Sequence, residues 1–520
     1  MKYLRLLPIS VATTLAVFGV DTAQAQSSIT VSGVQYTFCG SENDNCTFSG
    51  TGSVVFGAVP PNAPSTMLTS PATFTNGVGC YLGAVSQTDP AYGYGKSCWV
   101  RLASATTPVT TTPVAKTPTT TTPTTTTPTT TTPTTTTAAV ATVPASFFGM
   151  HYSSAQYQPW PGVQFSTLRT WDQYPGVSWA DLNPSSGVYN WANLDTVVNA
   201  AVAHGVDIIY TFGYVPPWAS SNPTGSCAGG PVGTCYRPNP VAWQDFVTQI
   251  TARYKGKIKY WELWNEPNAG NFWQGTPSDL VTMASAAYPI IAASGGTTLS
   301  PAPQGDNAYQ WLGSYFAAGG GPYSDIVTFH GYVGGAPELI NTLTAKVKST
   351  MAQYGVSRWV WDTEHSWGDS TWPFGATSDE QSAWLARYIV LSFSDGINRT
   401  VWYKYDGYEG QPQWGTMFDA TSKQMSKPGL AYQQVYKWIV GAKMDSCVLS
   451  GAVYQCHLTR ATPYEALIVW NVDTMDSQPA TFTPPTGYTQ YQTLDGTTTS
   501  FGAGAQVPIG MKPILLERLK

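Results

Sequence analysis

Between Ser104 and Thr142 the sequence collapses into threonine and proline, with T-T-T-T-P as the recurring unit. Such a stretch has almost nothing apolar to bury. Its prolines favour an extended, semi-stiff spacer, reaching up to roughly 120 Å at about 3.1 Å per residue. It therefore divides the 520-residue chain into parts that must fold separately, and two to four domains are expected at this length. The divisions predicted are a leader over 1–25, a small module over 26–103, the spacer over 104–143, a large α/β domain over 144–440 and an all-β domain over 441–520.

Lys2 and Arg5, an apolar run from Leu6 to Val20 and the small-x-small step Ala23-Gln24-Ala25 form the pattern of a secretory signal cleaved near Gln26. No later stretch is long and apolar enough to span a bilayer, so a secreted protein, extracellular or periplasmic, is expected. The eight cysteines fall into four local couples, Cys39/Cys46, Cys80/Cys98, Cys227/Cys235 and Cys447/Cys456. In an oxidising compartment these predict four short-loop disulfides. There is no C-x-x-C or H-E-x-x-H, and the five histidines are scattered, so neither metal nor other cofactor is expected. Charged residues are only 11 %, aromatics reach 13 % with 20 Trp, and the net charge is −5. That balance disfavours nucleic acid and anionic membrane as partners and suits sugars, whose C–H faces stack on rings. A monomer is expected.

The 26–103 module alternates in short strand-like runs and holds four cysteines, as a stapled β module would. Its aromatics Tyr81, Tyr92, Tyr94 and Trp99 fit a sugar platform or core packing equally well. After the spacer, strand-like and helix-like segments alternate. Strands are predicted over 148–152, 167–172, 207–213, 257–265, 298–301, 325–330, 358–364 and 400–406, with amphipathic helices between, among them 194–204, 240–254, 280–293, 338–354 and 379–394. Eight such units over roughly 290 residues match a (β/α)8 barrel, whose active sites lie at the C-terminal ends of the strands. From about Gly441 only short strands follow, with a hairpin turn at Asp495-Gly496, and a β-sandwich packed on the barrel is expected.

Two aromatic-rich strands of this barrel end in glutamate: Trp261-Glu262-Leu263-Trp264-Asn265-Glu266-Pro267-Asn268 and Trp361-Asp362-Thr363-Glu364-His365-Ser366-Trp367. Paired carboxylates at opposed strand ends are what glycosidic-bond cleavage requires, one protonating the leaving oxygen while the other attacks or stabilises the sugar cation. Glu262, about 13 Å deeper along its strand at 3.3 Å per residue, and Asp362 read instead as interior partners of Arg169 or of backbone groups.

W-N-E-P-N at strand four, D-T-E-H at strand seven, and the early F-F-G-M-H-Y, L-R-T-W-D and W-A-D-L-N-P-S-S-G-V-Y-N-W resemble the clan A glycoside hydrolases, most of all family 39 and its bacterial members acting on exopolysaccharides. The resemblance covers about 145–520. It implies Glu266 as acid/base, Glu364 as nucleophile and hydrolysis with retention, and strands four and seven face each other across a barrel mouth as a retaining pair needs. It also implies that Asn265 binds the sugar 2-hydroxyl, that Arg169 orients the nucleophile and that an aromatic at strand eight, Trp402, floors the sugar site. His330 and Tyr332 are candidates to steady Glu364, His151 for the sugar-binding floor and Trp273 for the acid's surroundings. The segment 216–237, with Trp218 and the Cys227/Cys235 couple, is expected to overhang the cleft as a subsite wall or simply to stabilise its loop. The leading expectation is a secreted retaining glycosidase cutting β-linked polysaccharide internally. The alternatives are a β-xylosidase acting on chain ends, an α-L-iduronidase type, and, in another class, an inactive lectin or adhesin.

Overall fold

The computed structural model describes residues 28–31, 34–41, 45–59, 67–80, 85, 96–102, 141–154, 160–173, 176–334, 336–368, 376–406, 416–419, 423–461, 463–472 and 480–519. The leader, most of the spacer, Tyr81, Tyr92, Tyr94, Tyr174 and Trp414 lie outside them. The chain divides into two compact units, Met1–Thr132 and Pro133–Lys520.

The first unit is an antiparallel sheet in the order Ser28–Val31, Val34–Ser41, Ser97–Leu102, Thr51–Ala58, Met67–Leu68, with Ala72–Thr75 also paired to Thr51–Ala58. Period-two alternation sends Val54 and Phe56 to one small core with Cys46, Cys80 and Cys98, and Val55 to another with Ile29, Tyr36 and Trp99. Trp99 is buried, edge-on to Phe38 at 6.5 Å, so core packing is its role. Cys39–Cys46 and Cys80–Cys98 are bonded, and cross-links matter most where the core is this small.

The second unit is built on a closed parallel barrel. Its strands are β1 Phe148–His151, β2 Thr167–Thr170, β3 Asp207–Thr211, β4 Tyr260–Glu262, β5 Thr297–Leu299, β6 Ile326–His330, β7 Trp359–His365 and β8 Arg399–Trp402. Closure comes from Phe148 and Met150 of β1 registering with Thr400 and Trp402 of β8. The helix Pro240–Arg253 buries Trp243, Phe246, Val247 and Ile250, the i, i+3, i+4, i+7 stripe of an amphipathic helix. Capping boxes at Thr276/Asp279 and Thr377/Glu380 start the helices Pro277–Ala293 and Ser378–Ser394. The barrel's lower interior is apolar, with Ile209, Tyr260, Leu299, Ile326, Trp361 and Val401 in one cluster. Arg399, the first residue of β8, is buried over the Tyr260 and Trp361 rings of this cluster, and the side chains of the site lie in the layer above, where the strands end.

The second unit's C-terminal part is an eight-stranded antiparallel sheet faced by the two-stranded pair Ala480–Phe482/Val507–Ile509. On the strand Tyr464–Asn471, Leu467 and Val469 pack toward that pair while Ala466, Ile468 and Trp470 join the barrel's own core. Trp470 also donates to Glu338 at 3.0 Å, and Gln434 and Trp438 of the helix Lys427–Ile439 both reach Gln492. One edge of this sheet differs from expectation. Ala141–Thr142, inside the stretch assigned to the spacer, pairs with Lys443–Met444, and Val143 is fully buried. Val143, buried just beyond this pair, supplies the apolar side chain that fixes the edge.

Candidate active site

β4 ends in a bend that sets the geometry of the site. Asn265 bridges Ala302 beyond β5, and the Glu266 amide donates to the Ala302 carbonyl at 2.9 Å. Glu266 itself sits at φ 40°, in the left-handed region. A side-chain-bearing residue there costs about 1–3 kcal/mol and persists only where its surroundings over-determine it. On β7 the register with β8 shifts between Asp362 and His365, so the strand leaves strict alternation just where Glu364 stands.

Between these two glutamates and the barrel interior lies Arg169, fully buried at the end of β2. Its Nε donates to Glu262 at 2.7 Å, Nη1 to Glu364 at 2.7 Å and Nη2 to Asn265 Oδ1 at 2.9 Å. Burial works to strip its proton, but Glu262 and Glu364 outweigh this and raise its pKa above the ordinary value. Glu262 is held further by the hydroxyls of Thr211 and Thr363 at 2.9 and 2.6 Å. Asp362 accepts from the Gly331 amide and Tyr388 and meets His365 Nδ1 at 2.7 Å. These deeper acids are structural partners. A buried ion pair survives only when its remaining donors and acceptors are satisfied in this way.

The two mouth glutamates have unequal environments. Glu364 accepts from Arg169 and, at 2.8 Å, from the Tyr332 hydroxyl. Glu266 meets His330 Nδ1 at 2.8 Å and, among the described residues, no lysine or arginine directly. Burial, then the adjacent Glu364 charge, push the Glu266 carboxyl well above the usual range, with Arg169 opposing. His330 is held well below its usual value by burial and then by Arg169, so it is neutral. Its Nε2 is buried without a partner. An orphaned N–H is rarer than an orphaned acceptor, which assigns the proton to Nδ1 and makes His330 the donor to Glu266 Oε1. The acid proton is then free to sit on Oε2. One ligand atom from each of Glu266, His330 and Glu364 lies within 4.8 Å of the others. That donor count would suit a cation, but Arg169 already neutralises Glu364.

A cleft of about 850 Å³ opens over the pair. Trp171, Asn271 and Phe272 line it on the β2 and β4 side, Gln304, Asp306 and Tyr332 beyond β5 and β6, and Ser366, Trp367 and Tyr403 on the β7 and β8 side.

A family model described as glycosyl hydrolase catalytic core matches residues 187–432, the span that holds both mouth glutamates. The barrel is a glycoside hydrolase catalytic core. No curated protein sequence matches the chain. Among solved structures the hydrolase is similar to a family 39 glycoside hydrolase from Bacteroides cellulosilyticus WH2, with TM-score 0.56 and 16 % identity over 72 % of this chain and 80 % of that one. It is also similar to a glucosidase from Croceicoccus marinus, at 0.50 and 16 % over 73 % and 96 %. A third is the family 30 subfamily 8 xylanase Xyn30A from Clostridium acetobutylicum, at 0.50 and 15 % over 71 % and 95 %. At such identities the likeness is one of fold.

Several side chains expected in the hydrolase's cleft are elsewhere. Trp402 is 1 % exposed and packs edge-on to His365 at 5.3 Å. Its chain neighbour Tyr403 lines the cleft instead, because β8 ends at Trp402 and the next residue turns over the mouth. His330 contacts Glu266 and stands 4.0 Å from Glu364, so it serves the other carboxylate from the one expected. His151 is fully buried beneath the cleft, 3.7 Å from Glu364 and 3.6 Å from Asp172. Trp273 is buried against Trp264 at 5.0 Å. Trp218 is half-exposed, with its indole N–H on the Asn183 carbonyl, and no residue of 216–237 is among those lining the cleft. Cys227–Cys235 and Cys447–Cys456 are bonded.

Sequence reasoning did not single out Asp172 as a hub. It accepts from Ser153 and Tyr403 at 3.0 and 2.8 Å and pairs with Lys404 at 3.5 Å. Against burial, His151 and Lys404 hold its carboxyl well below the usual range. The signal available was its place one residue beyond the exposed-looking Trp171 in L-R-T-W-D.

Proposed function

We propose that the hydrolase is a secreted, retaining enzyme of the family 39 type that cuts β-linked, mostly neutral polysaccharide at internal bonds. The observation that carries this reading is the close and unequal carboxylate pair, with an oxygen of Glu266 and one of Glu364 no more than 4.8 Å apart. Retaining pairs stand roughly 5–5.5 Å apart, whereas inverting pairs leave about 6.5–9.5 Å for a water.

In this reading Glu266, kept protonated by burial and by its neighbour's charge, gives its proton to the glycosidic oxygen as the C–O bond breaks. Glu364, held by Arg169 and Tyr332, bonds to the anomeric carbon, and the first half of the chain leaves as an alcohol. Water then passes a proton to the Glu266 carboxylate while its oxygen displaces Glu364, releasing the second half with its configuration retained. Asn265 spends Oδ1 on Arg169, which leaves Nδ2 to donate to the sugar 2-hydroxyl.

Substrate charge and length follow from the lining. Its charged groups among the described residues are Glu266, Glu364 and Asp306, without a lysine or arginine, whereas a uronate is normally met by a bidentate arginine. Rings stand on both sides of the pair, Trp171 and Phe272 on one and Trp367 and Tyr403 on the other, which supports several subsites along a chain. The leader pattern and four disulfides support export, and the 26–103 module is assigned the role of a tethered sugar anchor. Proton NMR of the first-formed anomer, with a product profile over plant and bacterial polysaccharides, tests the whole. Retention with oligosaccharide products supports it. Inversion, or release of monosaccharide alone, overturns it.

A further inference from the structure

We infer that the Cys227–Cys235 disulfide is a positioning device for the substrate cleft, acting through the loop after β4 without touching sugar itself. The inference rests on the functional reading above. Both cysteines are buried, and their loop is folded tightly upon itself. The Cys235 amide lies 3.2 Å from Cys227 Sγ, Gly230 donates to the Cys227 carbonyl at 2.7 Å, and Ala228 and Gly229 take φ of 44° and 96° to make the turn. None of this faces the cleft.

What the loop does face is the segment running on from Glu266. The Cys235 carbonyl accepts from the Gln274 amide at 2.8 Å. Gly230 packs so closely on the Asn271 carbonyl that a Cβ there would stand 2.8 Å from it. Asn271, at one of these two fixed points, and Phe272, between them, line the cleft. Phe272 stands edge-on to Trp171 and Tyr214, at 5.5 and 5.8 Å, and Trp171 stacks on Tyr214 at 4.9 Å. The three rings form one aromatic wall on the acid/base side. The disulfide loop supplies the wall's outer support, since the Ala269 amide already anchors the segment's inner end to the Glu266 carbonyl at 2.9 Å. Removing the cross-link should free Asn271–Gln274 while leaving Glu266, fixed from β5, in place. Binding of a chain across the wall then weakens and the chemical step does not.

The test compares Cys227→Ser/Cys235→Ser with Gly230→Ala, which keeps the disulfide but pushes on Asn271, and with Phe272→Ala. The cysteine and glycine variants should each raise KM for an oligosaccharide or soluble polysaccharide by about tenfold while kcat on an activated aryl glycoside stays within about twofold, and Phe272→Ala, which removes the ring itself, should raise KM at least as far. The cysteine pair and Phe272→Ala should combine non-additively, because they remove the same contact. Hydrogen exchange gives a readout independent of turnover: in the cysteine variant the Gln274 and Phe272 amides should exchange faster while those of β4 and β7 are unchanged. If KM rises for Phe272→Ala but not for the cysteine or glycine variants, or if Gln274 keeps its protection, the brace is wrong and the glycosidase reading stands. A hydrolase that turns over no polysaccharide while Gln274 loses protection as expected overturns the functional reading alone.

Discussion

Glu266 and Glu364 carry the same functional group, and in the proposed mechanism only their partners divide the labour between them. Two donors, Arg169 and Tyr332, converge on Glu364, whereas Glu266 receives one bond from a neutral imidazole. Glu364→Gln should therefore lower kcat by roughly three orders of magnitude or more, because it removes the covalent route; stopped assays on a soluble polysaccharide check this. The same variant removes the negative neighbour that helps raise the Glu266 pKa. The Glu266 titration, followed by carboxyl-carbon NMR, should move down relative to the native enzyme. In the native enzyme the acid must be protonated, so kcat/KM should fall as pH rises through the raised Glu266 value. Glu266→Ala should slow polysaccharide far more than aryl glycosides with good leaving groups, and azide should restore turnover by giving a glycosyl azide of retained configuration. Equal losses on both substrates with no azide rescue would remove Glu266 from the acid/base role.

At the scale of elements, the eight strands and the two strand-end glutamates were legible because hydrophobic period and the W-N-E-P and D-T-E-H runs are local signals. Arg169 was legible through the resemblance carried by L-R-T-W-D, which implies an arginine that orients the nucleophile. His151, His330 and Trp402, which sequence placed otherwise, each end a strand. The resemblance implied Trp402, as the aromatic at strand eight, for the sugar site, but β8 ends there and Tyr403 lines the cleft. The shift between Asp362 and His365 and the left-handed φ at Glu266 similarly decide which carboxylate His330 reaches, and neither is written in composition or spacing. Asp172 gathers partners from just beyond β1 and β8 that are distant in sequence, so no local pattern announces it. The Trp402/Tyr403 exchange is testable. Tyr403→Ala should cut kcat/KM by about tenfold or more at near-native Tm. Trp402→Ala should cost about 3–5 kcal/mol of stability as a core truncation, and thermal melts beside kinetics separate the two. The reverse pattern would return Trp402 to the sugar site.

For the whole molecule, the question is where the catalytic unit begins. We propose that the module joined through the Thr/Pro spacer acts independently of the cleft, so its removal should leave kcat on soluble oligosaccharides nearly unchanged. Activity on insoluble or cell-attached polysaccharide should drop through lost effective concentration. The cut must respect the sheet edge, however. Ala141–Thr142 pairs with Lys443–Met444, the Val143 amide donates to Ala442, and the Val143 carbonyl accepts from Gly441. Val143 is fully buried in the core shared by barrel and sheet, worth about 1.5–3 kcal/mol on burial alone. Deleting 26–138 should therefore preserve Tm, whereas extending the deletion through 143 should lower it by several degrees. Calorimetry of the two truncations, with initial rates on soluble and insoluble substrate, reads both effects. If the shorter deletion already destroys soluble-substrate activity, the N-terminal module belongs to the active unit and the spacer does not separate them.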